Sequence, residues 1–127
     1  PHIKPLARRI LVVDDNRDAA DSLATFLRLS GNQVEIAYDG RSGIEAAERA
    51  RPEVVLIDIG MPNVNGYDAC RHLRSQPWGR NLLLVALTGW GRTADKSRTM
   101  EAGFDAHLVK PVDPAALLKL LAEQPAI

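Results

Sequence analysis

The sequence predicts an α/β domain built on a doubly wound parallel sheet with helices on both faces. Three observations carry that expectation. Short continuous apolar runs rich in Val, Ile and Leu alternate with longer stretches of helical period, the pattern of successive βαβ units. A length of 127 residues suits one domain able to bury roughly two-thirds of its unfolded surface. A hydrophobic content of 46% with 25% charged residues is that of an ordinary globular chain and argues against disorder, collagen-like repeats and disulfide scaffolds.

Strands are expected at residues 9–14, 33–37, 54–58, 82–87 and 106–109. The helix between the first two, residues 17–30, places Ala20, Leu23, Phe26, Leu27 and Ser30 on one face, and Gly31 supplies a left-handed stop. Further helices are expected at 41–50, 66–75, 92–102 and 114–122, the last with Asp113 as N-cap and Pro114 in its first position. The fourth is weak, offering only Ala94, Met100 and Ala102 for burial, which makes it a candidate for movement. Right-handed crossovers then place helices on both faces of the sheet.

Lys and Arg number 16 against 16 Asp and Glu, so bulk electrostatics favour neither nucleic acid nor an anionic membrane as direct partner. The lone cysteine, Cys70, excludes an internal disulfide and reads as an inert helix thiol. The longest apolar runs fall far short of the ~20 residues of a spanning helix, so the domain is expected in the cytoplasm, even if its parent is tethered to a membrane sensor. Residues 1–8, basic and proline-containing, read as a linker or a remnant of cloning, 9–123 as the domain and 124–127 as a tail.

In such a sheet the parallel strands end on one edge, where ligands bind. The first strand ends in Asp14 and Asp15, the third in Asp58, the fourth runs into Thr88 and the fifth into Lys110 and Pro111. Singly, each has an ordinary explanation: turn or cap aspartates, a turn threonine, a solvated lysine. Together at one edge, three aspartates would repel one another unless a hard cation such as Mg²⁺ joined them. Asp58-Ile59-Gly60-Met61-Pro62-Asn63-Val64-Asn65-Gly66 adds a Met-Pro and a glycine opening the next helix.

Together with VVDDN at 12–16, LTG at 87–89 and LVKPVD at 108–113, this segment resembles the receiver domain of two-component response regulators, over residues 8–122. The resemblance implies a flavodoxin-like five-stranded sheet of order 2-1-3-4-5. It implies phosphorylation of Asp58 by a histidine kinase or phosphotransfer domain, with Mg²⁺ held by Asp14, Asp15, Asp58 and the Gly60 carbonyl. Thr88 would then bond a phosphoryl oxygen, Lys110 would pair with the phosphoryl group, and the Lys110–Pro111 bond would be cis. The chemistry is coherent on its own terms: an aspartate nucleophile, positive charge on the equatorial oxygens and a neutral donor. Such a module switches rather than turns over, the added phosphoryl group drawing Thr88 and the fourth helix into a second arrangement.

One departure is His107, where many receivers carry a Tyr or Phe that swings inward; an imidazole could still change rotamer or titrate. Trp90, two residues past Thr88, borders the site and is expected to limit water access. Trp78 reads as a local cover, and Leu117, Leu118, Leu120 and Leu121 exceed one core stripe, so an edge of the last helix is compatible with a homodimer. The wording LTGWG and HLVKPVD is similar to receivers at the C-terminal end of hybrid sensor histidine kinases, with a stand-alone regulator as the alternative. A Mg²⁺-dependent phosphatase with an aspartate nucleophile would want an acid where Gly60 stands, and a flavodoxin-like cofactor binder would not place the acidic Asp14-Asp15-Asn16 against phosphate.

Overall fold

The computed structural model describes residues 8–61, 63–89 and 96–123. Five parallel strands, β1 (Arg9–Val13), β2 (Gln33–Ala37), β3 (Val54–Asp58), β4 (Leu83–Thr88) and β5 (Ala106–Val109), lie in the order β2-β1-β3-β4-β5. Between and after them run α1 (Arg17–Leu29), α2 (Gly40–Ala50), α3 (Gly66–Ser75), α4 (Lys96–Ala102) and α5 (Pro114–Glu123). This is the expected doubly wound sheet with the reversal of strand order beside β1 and β3. Residues 92–95 of the expected fourth helix lie outside the described residues.

Alternate strand residues feed two cores. Leu11, Val13, Val55, Ile57, Leu84 and Ala86 meet Ala46, Ala47, Ala69, Cys70, Leu73 and Ala102 from α2, α3 and α4. Ile10, Val12, Val54, Leu56, Leu83, Val85 and Leu87 meet Ala20, Leu27, Leu117 and Leu121 from α1 and α5. All five residues of β3 are buried, which explains why Val54 to Ile57 form a continuous apolar run and not an alternation before the strand ends in Asp58. Each fully buried Val, Leu or Ile side chain of these strands contributes about 1.5–3 kcal/mol through removal from water.

Element ends are set by local hydrogen bonds. Asp14 leaves the β1 ladder, although its N–H still donates to the Ala37 carbonyl at 3.1 Å, so β1 stops at Val13 and not at residue 14. The expected strand at 82–87 lies one residue later, at Leu83–Thr88, because the Leu82 N–H turns back to Gly79 within a short 3₁₀ turn, Pro77–Gly79. On α1 the third buried residue is Ala24, and Leu23 and Phe26 are only half-buried. Ser30 caps the helix, its N–H and hydroxyl both donating to the Phe26 carbonyl. Asp39 caps α2 by accepting from the Ser42 N–H at 2.7 Å, and Asn65 caps α3 by accepting from Asp68 N–H at 3.0 Å.

One side chain ties three segments together. Arg74, near the end of α3, donates through Nε to the Gly103 carbonyl at 2.7 Å and through Nη1 to Gly79 at 2.9 Å and Leu82 at 2.8 Å. Its Nη2 lies 2.6 Å from Asp105 Oδ2, which also accepts from the Leu84 N–H at 2.8 Å. Gly103 sits at φ +108, and a Cβ there would lie 2.7 Å from Arg74 Cγ, so both backbone freedom and space require glycine. The clamp fixes the turn leading into β5, and with it the strand that delivers Lys110. Phe104, edge-on to Tyr67 at 6.4 Å between centroids, closes the same corner. Among the described residues no helix is long and apolar enough to cross a membrane.

Candidate functional site

The C-terminal ends of β1, β3, β4 and β5 converge as the strand order requires. Pairing of Asp58 with Leu87 and of Thr88 with Val109 levels the third, fourth and fifth strands at this edge, and the Lys110 N–H donates to the Thr88 carbonyl at 2.7 Å. Asp14, Asp15 and Asp58 each offer a carboxylate oxygen, and the three oxygens lie within 4.8 Å of one another. Lys110 Nζ reaches into the group, 2.8 Å from Asp14 Oδ2 and 3.4 Å from Asp58 Oδ2. The Lys110–Pro111 peptide is cis.

Two of the three carboxylates, those of Asp14 and Asp58, are held by backbone. The Asn16 N–H donates to Asp14 Oδ1 at 3.0 Å, and the Gly60 N–H donates to Asp58 Oδ1 at 2.9 Å. Gly66 lets α3 start against this loop: a Cβ there would lie 2.6 Å from the Asp58 carbonyl and 2.5 Å from Ile59 Cα. Met61, almost wholly buried, pins the loop to the core from below. Thr88 is buried, its hydroxyl donating to the Leu108 carbonyl at 3.4 Å.

The electrostatics favour an added dication. Burial raises the Asp14 pKa above the ordinary carboxylate value, against the opposing hydrogen bonds from Lys110 and the Asn16 N–H, and the nearby Asp58 charge adds to the rise. Burial by itself would lower the Lys110 pKa, but the hydrogen bond to Asp14 and the charges of Asp58 and Asp14 outweigh it and the pKa is raised. With all groups ionised, three carboxylates against one ammonium leave two negative charges. An all-oxygen donor set of that charge fits a hard divalent cation of the Mg²⁺ type.

Sequence reasoning placed Asp14, Asp15, Asp58, Thr88 and Lys110 at one edge, where the structure brings them together. Gly60 contributes its N–H to Asp58, a contact the sequence did not reveal. His107 lies on β5 beside Ala86 and is half-buried, on the sheet face opposite Leu108. Trp90 and Pro62 lie outside the described residues. Trp78 packs partly buried on the core, with the Arg51 guanidinium 4.5 Å above its ring. Cys70 is buried, its thiol donating to the Ala102 carbonyl at 3.2 Å, and burial pushes its pKa up to about 12. Of the last-helix leucines, Leu117 and Leu121 are buried, Leu120 packs at the core's edge and Leu118 is exposed.

Sequence reasoning also missed Arg17. Its guanidinium stacks on the Tyr38 ring at 4.1 Å, and the Tyr38 hydroxyl donates to Asp21 Oδ1 at 2.6 Å. The signal was an arginine in the first position of a helix, where a cation faces the positive end of the dipole.

Residues 10–122 match the family profile described as "Response regulator receiver domain". The chain belongs to the response regulator receiver domain family. Among relatives, the receiver is 39% identical over 119 residues to response regulator MprA of Mycolicibacterium vanbaalenii, a match covering 94% of this chain and 49% of MprA. It is 34% identical over 114 residues, 90% of the chain and 87% of the relative, to an uncharacterized 14.6 kDa protein of Leptolyngbya boryana. The chain thus spans about half the length of its MprA relatives. Among solved structures, the receiver domain of sensor histidine kinase PA1611 from Pseudomonas aeruginosa, with a magnesium ion coordinated in its active site cleft, has TM-score 0.82 at 33% identity, covering 91% of this chain and 95% of that one. Chemotaxis protein CheY4 of Vibrio cholerae has TM-score 0.85 at 29% identity, covering 92% and 98%. The receiver fold and its order 2-1-3-4-5 are therefore those the sequence implied.

Proposed function

We propose that this receiver accepts a phosphoryl group on Asp58 from a phosphohistidine of a kinase or phosphotransfer domain, and that the resulting acyl phosphate switches its conformation. The observation that carries the reading is Lys110 Nζ set between Asp14 and Asp58 at the edge where three carboxylates meet. An Asp58 carboxylate oxygen attacks phosphorus. The P–N bond of the donor breaks, and its electron pair leaves with a ring nitrogen, giving neutral imidazole when the second nitrogen carries a proton. Asp14, Asp15, Asp58 and the Gly60 carbonyl would hold Mg²⁺, which supplies charge neutralisation of the equatorial phosphoryl oxygens when bound. Lys110 shifts from its carboxylate partners onto the phosphoryl group, and the Gly60 N–H keeps the Asp58 carboxyl group in place.

Among the described residues the hydroxyl of Thr88 is held by one long bond, at 3.4 Å, and is thus inexpensive to redirect toward a phosphoryl oxygen. Its movement, with that of His107 and of the fourth helix, whose sequence offers little for burial, constitutes the switch. The domain acts as a phosphoacceptor and not as a turnover enzyme, in the cytoplasm, with no direct contact to nucleic acid or membrane. The LTGWG and HLVKPVD wording and the likeness to the PA1611 receiver favour a C-terminal place in a hybrid histidine kinase. The MprA likeness favours a regulator instead, and comparing phosphotransfer from phosphotransfer domains with that from kinase cores separates the two.

Incubation with Mg²⁺ and acetyl phosphate, followed by intact mass, tests the central step. A metal-dependent phosphoryl adduct is expected on the wild type and none on Asp58→Asn. No adduct in the wild type, or an equal one in the variant, overturns the reading.

A further inference from the structure

Arg17 occupies the first position of α1, two residues after Asp15, so no more than about 7 Å of backbone separates it from the acidic cluster. Its partner comes from the same edge: Tyr38 follows Ala37, whose carbonyl accepts from the Asp14 N–H at 3.1 Å. The stack on Tyr38, itself tied to Asp21, holds the guanidinium in place while the side chain remains exposed. None of the ion pairs among the described residues engages Arg17, whereas Lys110, also a cation at this edge, is taken up by two carboxylates. A cation at a helix N-terminus opposes the dipole, and such a local cost is expected where function uses the charge.

We propose that Arg17 is a positioning residue that steers small anionic phosphodonors toward Asp58. The inference rests on the phosphoacceptor reading above. A fixed positive charge at the mouth raises the local concentration of an anion and opposes that of a cation, so Arg17 acts with opposite sign on the donor and on Mg²⁺. At about 10 Å in water, one charge acting on a doubly charged partner is worth a factor of about two to four. Loss of packing would not produce opposite signs, because a damaged site binds both partners more weakly.

The test compares wild type with Arg17→Gln, Arg17→Glu and Arg17→Lys, reading the rate of adduct formation against donor concentration and, separately, Mg²⁺ affinity by calorimetry. Arg17→Gln is expected to lower the second-order rate with acetyl phosphate about two- to fourfold while tightening Mg²⁺ binding by a similar factor. Arg17→Glu enlarges both effects, Arg17→Lys restores most of both, and roughly 1 M salt abolishes them. Singly charged phosphoramidate shows a smaller rate effect than doubly charged acetyl phosphate. Unchanged values, or a fall in both rate and Mg²⁺ affinity, overturn the proposal. A wild type that forms no adduct at all instead overturns the phosphoacceptor reading itself.

Discussion

At the residue scale, Asp14 is the group whose surroundings oppose its charge. Its folded pKa is raised by burial, so folding takes up a proton between the unfolded and folded values. The sign follows: the stability associated with the protonated form is complete below the unfolded value, near 3.8, and is lost as pH rises through the folded one. Without metal at neutral pH, Asp14 is therefore a cost, and Asp14→Asn should stabilise the domain by about 1–2 kcal/mol. Urea unfolding in EDTA checks this, with the gain shrinking as pH falls. Asp39 behaves oppositely. The Ser42 N–H and hydroxyl lower its pKa, so its cap contributes above the unfolded value and fades as pH drops through the folded one. Asp39→Ala should cost about 1 kcal/mol near neutrality and less in acid.

At the element scale, the two halves of the site differ in how they were legible. The carboxylates could be read because each closes an apolar run whose end the sequence marks; position along the strand fixes the edge. The Arg74 clamp could not. Its partners Gly103 and Asp105 lie 29 and 31 residues away, and an arginine in the last turn of an amphipathic helix reads as solvated until the turn before β5 folds onto it. Arg74→Met should cost about 3 kcal/mol, because it leaves the carbonyls of Gly103, Gly79 and Leu82 and the Asp105 carboxylate without their shared donor. The expected signature is a lower urea midpoint at unchanged slope. Ala24 was missed on α1 for a related reason. An alanine adds little to a hydrophobic stripe, yet Ala24 is fully buried, while Leu23 and Phe26 lie toward the groove shared with Val112 and Pro114.

For the whole molecule, the order β2-β1-β3-β4-β5 explains why so much of the site could be foreseen: it sets Asp14, Asp58 and Thr88 on adjacent strands, and the β5 end follows next to Thr88. What the order does not specify is which side-chain contacts form at the edge, such as the Thr88 bond to Leu108, because these depend on rotamers at a crowded site. A ligand bound only by the folded state stabilises the whole domain. Mg²⁺ at a hundredfold its Kd should add about 2.7 kcal/mol to unfolding stability, and Asp15→Asn should flatten that dependence, as thermal or urea melts across a Mg²⁺ titration would report. The strand order has one more consequence. Asp58 and the lysine that serves it are 52 residues apart and meet only after the last strand has paired. A nascent chain still missing β5 carries Asp58 without Lys110, so the charge balance of the acidic edge is completed only once synthesis has passed residue 110.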